Sequence, residues 1–193
     1  LTNLRAHHAV WQLIVALWGK LPDWDEDEEI DLNSYAYHMA RREAVTRWLS
    51  EMSRKQIAQE VQEVNNKGQS HVQAVLSYLS GRDISAAVRT SQQSGDHHMA
   101  LLLAQCVGSA PVRQLVAKQL SNWQEHKADR FIDLDRLRVY TIMAGLPVWQ
   151  STAGDINTCE GWDWKRCFGS HLWYLCNPST TVAEALNFYE EAF

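Results

Sequence analysis

Apolar residues recur along this chain with a helical period. Val72, Val75, Leu76 and Leu79 stand at i, i+3, i+4 and i+7, and Gly81 follows as a stop. Met99, Leu102, Leu103 and Cys106 repeat that spacing before Gly108. Val112, Leu115, Val116, Leu120 and Trp123 form the next stripe, with Pro111 where a first helical turn tolerates it. Leu134, Leu137 and Tyr140 follow, stopped by Gly145 and Pro147. Then come Trp164, Phe168, Leu172 and Leu175, and finally Val182, Ala185, Leu186 and Tyr189, opened by a capping box of Thr181 and Glu184.

Upstream, the pattern predicts a short apolar helix over about 7–18 and a long one over about 34–64, the latter carrying Val45, Trp48, Leu49, Met52, Ile57, Val61 and Val64. No window shows strand alternation between hairpin turns. The expected fold is therefore all-α: roughly eight or nine helices in an irregular stack with no strict repeat. The stretch 65–70, NNKGQS, reads as a polar break, and 151–161, STAGDINTCEG, as the longest other irregular piece.

Two helices are apolar on nearly every side, VWQLIVALW at 10–18 and MALLLAQCV at 99–107. Such a helix is either central or presents a second face to a partner. The second, flanked by helices in sequence, is expected to be central. The first stands at the edge, and its Trp11, Ile14, Val15 and Trp18 are the candidate partner-binding residues, with burial in the core as the alternative.

With 193 residues and an apolar fraction of 46%, the chain can bury a sizeable core. The net charge is −5, and the 18 Lys and Arg are scattered, so the basic stripe of a nucleic-acid binder is missing. The one charge run is acidic, DWDEDEEID at 23–31, and reads as a solvated loop. No stretch approaches the ~18 apolar residues that span a bilayer. Nothing marks secretion. Cys106, Cys159, Cys167 and Cys176 lack the paired spacing of secreted proteins and read as reduced thiols.

Three clusters could carry chemistry. Asp96, His97 and His98 are residue types that ligate metals and move protons. Adjacent helical residues diverge by about 100°, however, so His97 and His98 cannot grip one ion together. A turn is expected instead: Gly95 breaks one helix, Asp96 caps the next, and the histidines occupy its first turn. Cys167 and His171 are four apart, which is ligand spacing, but Cys159 and Cys176 lie at irregular distances and no C-x-x-C knuckle exists. Burial is the plainer expectation for all of them. The nine tryptophans, Trp162 and Trp164 among them, are expected to fill space between layers rather than to cage a ligand. Phosphate-binding and acyl-transfer loop motifs are absent, so neither a catalytic residue nor a cofactor or metal site is expected.

Several stretches, taken in order, resemble a known family: VALWGKLPD (15–23), RREAVTRWLSE (41–51), LSGRDISAAVRTSQQSGDHHMALLLAQ (79–105), ADRFIDLDRLRVYTIMAGLPVW (128–149), CEGWDWKRCFGSHLWYL (159–175) and VAEALNFYEEAF (182–193). They are similar to the nucleoporins built on the ancestral coatomer element, in particular the group called nucleoporin ninety-six, the carboxy-terminal product of a self-cleaving FG-nucleoporin precursor. The resemblance implies a non-catalytic scaffold of the Y-shaped nuclear pore coat, acting in pore assembly and nucleocytoplasmic transport. It implies a helical domain that folds back on itself as crown, trunk and tail. The partners it implies are other Y-complex nucleoporins: the crown of the neighbouring stalk nucleoporin, the hub through the tail, and Sec13 through an amino-terminal propeller blade. The sequence starts directly in helix and carries neither blade nor tail, so residues 1–193 are expected to form a single helical unit covering the crown and part of the trunk. A vesicle-coat scaffold of the same architecture, and a helical metal-dependent hydrolase using Asp96, His97, His98 or Cys167 with His171, are the alternatives.

Overall fold

The computed structural model of the chain describes residues 2–21, 31–106 and 109–192, and for residues 2–6 and 106 their backbone alone. The acidic run at 23–31 lies outside the described residues except for Asp31, and so does the Gly108 stop.

Helices α1 (Thr2–Trp18) and α2 (Tyr35–Asn66) come first, and α2 runs for 32 residues. Ser34 caps α2 by accepting from the Tyr37 N–H at 3.2 Å. The stack continues through α3 (His71–Leu79), α4 (Ile84–Gln93), α5 (His97–Cys106), α6 (Ala110–Glu125) and α7 (Leu134–Ala144). Each begins on a capping side chain except α6, whose first turn instead holds Pro111. A hairpin of β1 (Val148–Ser151) and β2 (Gly154–Asn157) follows. Helix α8 (Trp164–Ser170) continues into a π-helical turn over His171–Leu175, and α9 (Val182–Glu191) closes the described chain.

The stack is helical and returns on itself, as expected. Helices α2, α3, α4 and α5 pack in succession, and α6 pairs with α7. Helix α7 then lies against α3 and the π turn, while α8 and α9 come back onto α2. One contiguous core joins these layers, built from Leu49, Val75, Leu79, Met99, Leu103, Leu120, Val139, Ile142 and Leu172 among others. Residues more than a hundred positions apart thereby share one interior.

The structure corrects four expectations. A strand pair does exist: Trp149 faces Ile156 across an antiparallel ladder, and both side chains are buried while their neighbours are not. Each strand is four residues long and sends few side chains inward, too few for alternation to register. Asp129 anchors the hairpin, accepting from the Thr152 N–H at 2.5 Å and from the Thr152 hydroxyl. Next, the stripe through Trp164 and Leu175 is not one α-helix, because its last turn is widened to π. Helix α5 is not covered on every side, since Leu101 is exposed. Finally, Leu115, Leu134, Trp164 and Leu186 of the later stripes are exposed as well.

Candidate interaction surfaces

Among its described side chains, helix α1 is held by one side. Its Ala16 is buried, and Leu17 packs against the core. The Trp48 indole N–H of α2 donates to the Ala9 carbonyl at 3.0 Å, and Arg41 of α2 reaches the Ala16 carbonyl at 3.4 Å. The other side carries Val10, Trp11, Ile14, Val15 and Trp18, spaced to form one stripe, and all five are exposed. Trp11 is 65% exposed and Trp18 72%. The four candidate partner-binding residues therefore lie together on one face, and burial in the core does not account for them. Large apolar side chains grouped on one exposed helix face form a candidate surface for a partner. Beside the stripe, α1 and α2 part into a groove of about 380 Å³, lined by Val15, Leu21, Ala44 and Trp48.

A second apolar surface was missed by the sequence pattern. Helices α5 and α6 touch sparingly, and the gap above α7 forms a groove of about 480 Å³. Leu102, Val112, Leu115, Trp123 and Tyr140 line it, with His98 at its rim. Leu101 and Leu115, expected in the core, stay exposed on these same helices. The apolar arc of α5 was the available signal, but periodicity does not distinguish a face covered by its own chain from one left open.

The Asp-His-His triplet is a helix start. Gly95 adopts a left-handed backbone at φ +77°, and the Asp96 Oδ1 accepts from the Met99 N–H at 3.1 Å. His97 and His98 are exposed in the first turn of α5 and do not join Asp96. The other oxygen of Asp96 binds Arg136 of α7 at 2.5 Å and His71 of α3 at 3.2 Å. Burial pushes the Asp96 carboxyl up, but the bonds from Arg136, the Met99 amide and His71 outweigh it and hold it below the ordinary range.

Cys159, Cys167 and His171 are brought together and buried, whereas Cys176 is buried apart from them near Arg42. The Cys106 side chain lies outside the described residues. Among the described residues, no group of three or more His, Cys, Asp or Glu side chains is placed to hold a metal ion. Trp164 opens α8, half exposed against Trp48 with ring centroids 6.2 Å apart. Trp162 packs on the core beneath the Arg138 guanidinium, 4.8 Å from its ring centroid. Neither ring forms a cage. None of the described helices is long and apolar enough to cross a membrane.

Comparison with known proteins connects this architecture to the nuclear pore. The Nuclear protein 96 family model matches residues 73–193. Nuclear pore complex protein Nup98-Nup96 of Drosophila melanogaster is 34% identical over 185 residues, covering 96% of this chain and 9% of that protein. Nuclear pore complex protein NUP96 of Arabidopsis thaliana is 26% identical over 199 residues, covering 94% of this chain and 18% of its own length. The Nup98-Nup96 protein of Dictyostelium discoideum is 25% identical over 170 residues, covering 87% of this chain and 8% of its own. The chain thus spans less than a fifth of each of these relatives. With the match running from α3 to α9 and the helical stack in common with the expectation from sequence, the chain belongs to the Nuclear protein 96 (Nup96) family.

Proposed function

We propose that this chain is a scaffold segment of the nuclear pore coat, the Y complex, which serves pore assembly and nucleocytoplasmic transport by holding other nucleoporins and performs no catalysis. The observation that carries the reading is the uncovered stripe of α1, with Trp11 and Trp18 each about two-thirds exposed or more. Covering an indole that far out of the core is worth about 3 kcal/mol in transfer free energy, at ~25 cal/mol per Å². Two such anchors on one helix match the aromatic hot spots that dominate interfaces. Family membership and the pore-protein names of the relatives support a pore coat over a vesicle coat of like architecture. In this reading residues 1–193 supply the crown and part of the trunk. Trp11, Ile14, Val15 and Trp18 meet the crown of the neighbouring stalk nucleoporin, and Sec13 is a further partner in the same coat.

The test is pairwise co-purification of the chain with each pore-coat subunit, repeated with Trp11→Glu and Trp18→Glu. Both side chains are largely exposed, so these variants keep their thermal stability. One binary complex is expected to disappear while the fold stays intact. Survival of every binary complex would remove α1 from the interface, and failure of the wild-type chain to hold any coat subunit would remove the scaffold reading. Elemental analysis separates the hydrolase alternative: a stoichiometric transition metal lost on His98→Ala or Cys167→Ala would favour it.

A further inference from the structure

The second half of α2 borders a groove of about 710 Å³ that shares no lining residue with the α1–α2 or the α5–α6 groove. One wall is α2 from Ser50 to Asn66, and the other is the end of α3 and the turn after it, with Tyr78, Gly81 and Arg82. Buried Ile57 lies between the walls, beside Ala58 and Val61. Gly81 approaches so closely that a Cβ there would collide with the Ile57 side chain. The chemistry is graded along α2. Arg54 stands at one end, and Arg82 reaches toward the same end, where it meets Glu43. The apolar residues follow, and the amides of Gln62, Asn65 and Asn66 come last.

The polar groups here are uncommitted. The side chains of Gln62, Asn65, Asn66 and Tyr78 make no hydrogen bond to the described residues. Each arginine has an exposed carboxylate for its partner, Glu51 at 3.0 Å from Arg54 and Glu43 at 3.3 Å from Arg82. Such surface pairs contribute little and yield readily to a competing anion. Asp83 also lines the groove, but its Oδ1 is occupied at 2.9 Å by the Ala86 N–H, as the cap of α4. Arg82 carries a further mark. Its φ is +63°, and it is one of two non-glycine residues in the left-handed region among those described. Glycine would sit there without strain. A long cation held in that conformation gains the fold only one exposed ion pair, which marks its guanidinium for a use outside the fold.

Dimensions choose the occupant. From Ser50 to Asn66, α2 rises about 24 Å, so the groove averages about 30 Å² in section. A helix ~10 Å across needs more than twice that section. An extended strand fills a slot of about 5 by 10 Å, part of which an open groove leaves in solvent. We propose that this groove binds an extended acidic segment of a partner protein, about seven residues long. A carboxylate of that segment pairs with Arg82 and Arg54, and an apolar side chain rests on Ile57 and Val61. Its main-chain N–H and C=O groups meet the amides of Gln62, Asn65 and Asn66 and the Tyr78 hydroxyl, which together satisfy them. The site is separate from the α1 stripe and adds a second partner to the one assigned there.

The experiment selects a displayed library of random heptapeptides on the whole folded chain and measures the enriched peptides by fluorescence anisotropy. Enrichment of Asp or Glu a few positions before Val, Ile or Leu is expected, with binding that weakens as salt rises. Arg82→Gly is expected to weaken binding at least ~10-fold with little change in Tm. Ala58 is exposed, so Ala58→Trp fills the groove without entering the core and is expected to abolish binding. Trp18→Glu, on the α1 stripe, is expected to leave it unchanged. Absence of enrichment over a matrix without the chain overturns the proposal. So do peptides that bind Arg82→Gly and Ala58→Trp as tightly as wild type, and so does enrichment confined to a parallel library of amphipathic helices.

Discussion

Arg166 of α8, its side chain 2% exposed, holds both carboxylate oxygens of Glu60 on α2 at 2.9 Å across 106 positions of sequence. Its Nε binds Asp163 at 3.1 Å, and Glu60 also accepts from the Ser77 hydroxyl of α3 at 3.0 Å. Three helices are joined at one guanidinium. Glu60 is about a third exposed and Arg166 is not, so the two partners are unequal when parted. Glu60→Ala leaves the buried cation with Asp163 alone and is expected to cost about 2–4 kcal/mol. Arg166→Met lets the carboxylate turn to water and is expected to cost about half as much. Urea unfolding of both singles and the double measures this. A double variant as unstable as the sum of the singles would show that the pair is not coupled.

Asp96 links stability to pH. Its carboxyl is depressed in the folded state, so the stabilisation is complete above the unfolded value of about 3.9 and is lost as pH falls through the folded value. Asp96→Asn is expected to cost about 1–2 kcal/mol at pH 7, through the cap and the Arg136 bond. The gap from wild type is expected to narrow as the pH falls below 4. A gap that stays constant from pH 7 to pH 3 would mean that the ionised carboxylate contributes nothing.

Gly169 is a glycine inside a helix, where alanine ordinarily gains about 1 kcal/mol. Here the sign is expected to reverse. A Cβ at this position would stand 2.6 Å from the Trp173 ring, one turn ahead. That ring is buried, and its Nε1–H donates to the Thr46 hydroxyl at 3.1 Å, so it cannot retreat without giving up a bond to α2. Gly169→Ala is expected to lose about 1–3 kcal/mol net, read as a lower Tm. A higher Tm would mean that the indole moves freely.

Helix starts were the most legible part of the sequence, because a cap is a local contract. Asp96 and the reciprocal pair of Thr181 and Glu184 act where their spacing places them. The return of α8 and α9 onto α2 was expected only from family likeness, since no local pattern encodes which distant face Arg166 will meet. The hairpin escaped notice because Trp149 and Ile156 are single inward residues on very short strands. The π turn escaped for the opposite reason: in HLWYL four of five residues are apolar, so a change of helical pitch leaves no trace in the pattern. At the interaction surface the composition of α1 was legible, while the openness of the α5–α6 groove was not. Leu115 is equally apolar whether covered or bare.

Carbonyls of the π turn and of the loop after it are gripped from two sides. Arg42 of α2 donates to those of Leu172 and Thr180, and Arg113 of α6 to those of Trp173 at 3.2 Å and Tyr174 at 2.5 Å. The last helices are thus tied to both the first long helix and the middle of the array, which closes the stack into a loop. An open array of repeats can gain or lose a unit and simply change length. A closed one cannot, because any added turn between α3 and α7 would carry Arg113 and Arg42 out of reach of the same five-residue turn. Such a unit is expected to act as a block of fixed dimensions, in which α2 touches both α1 and α9 directly.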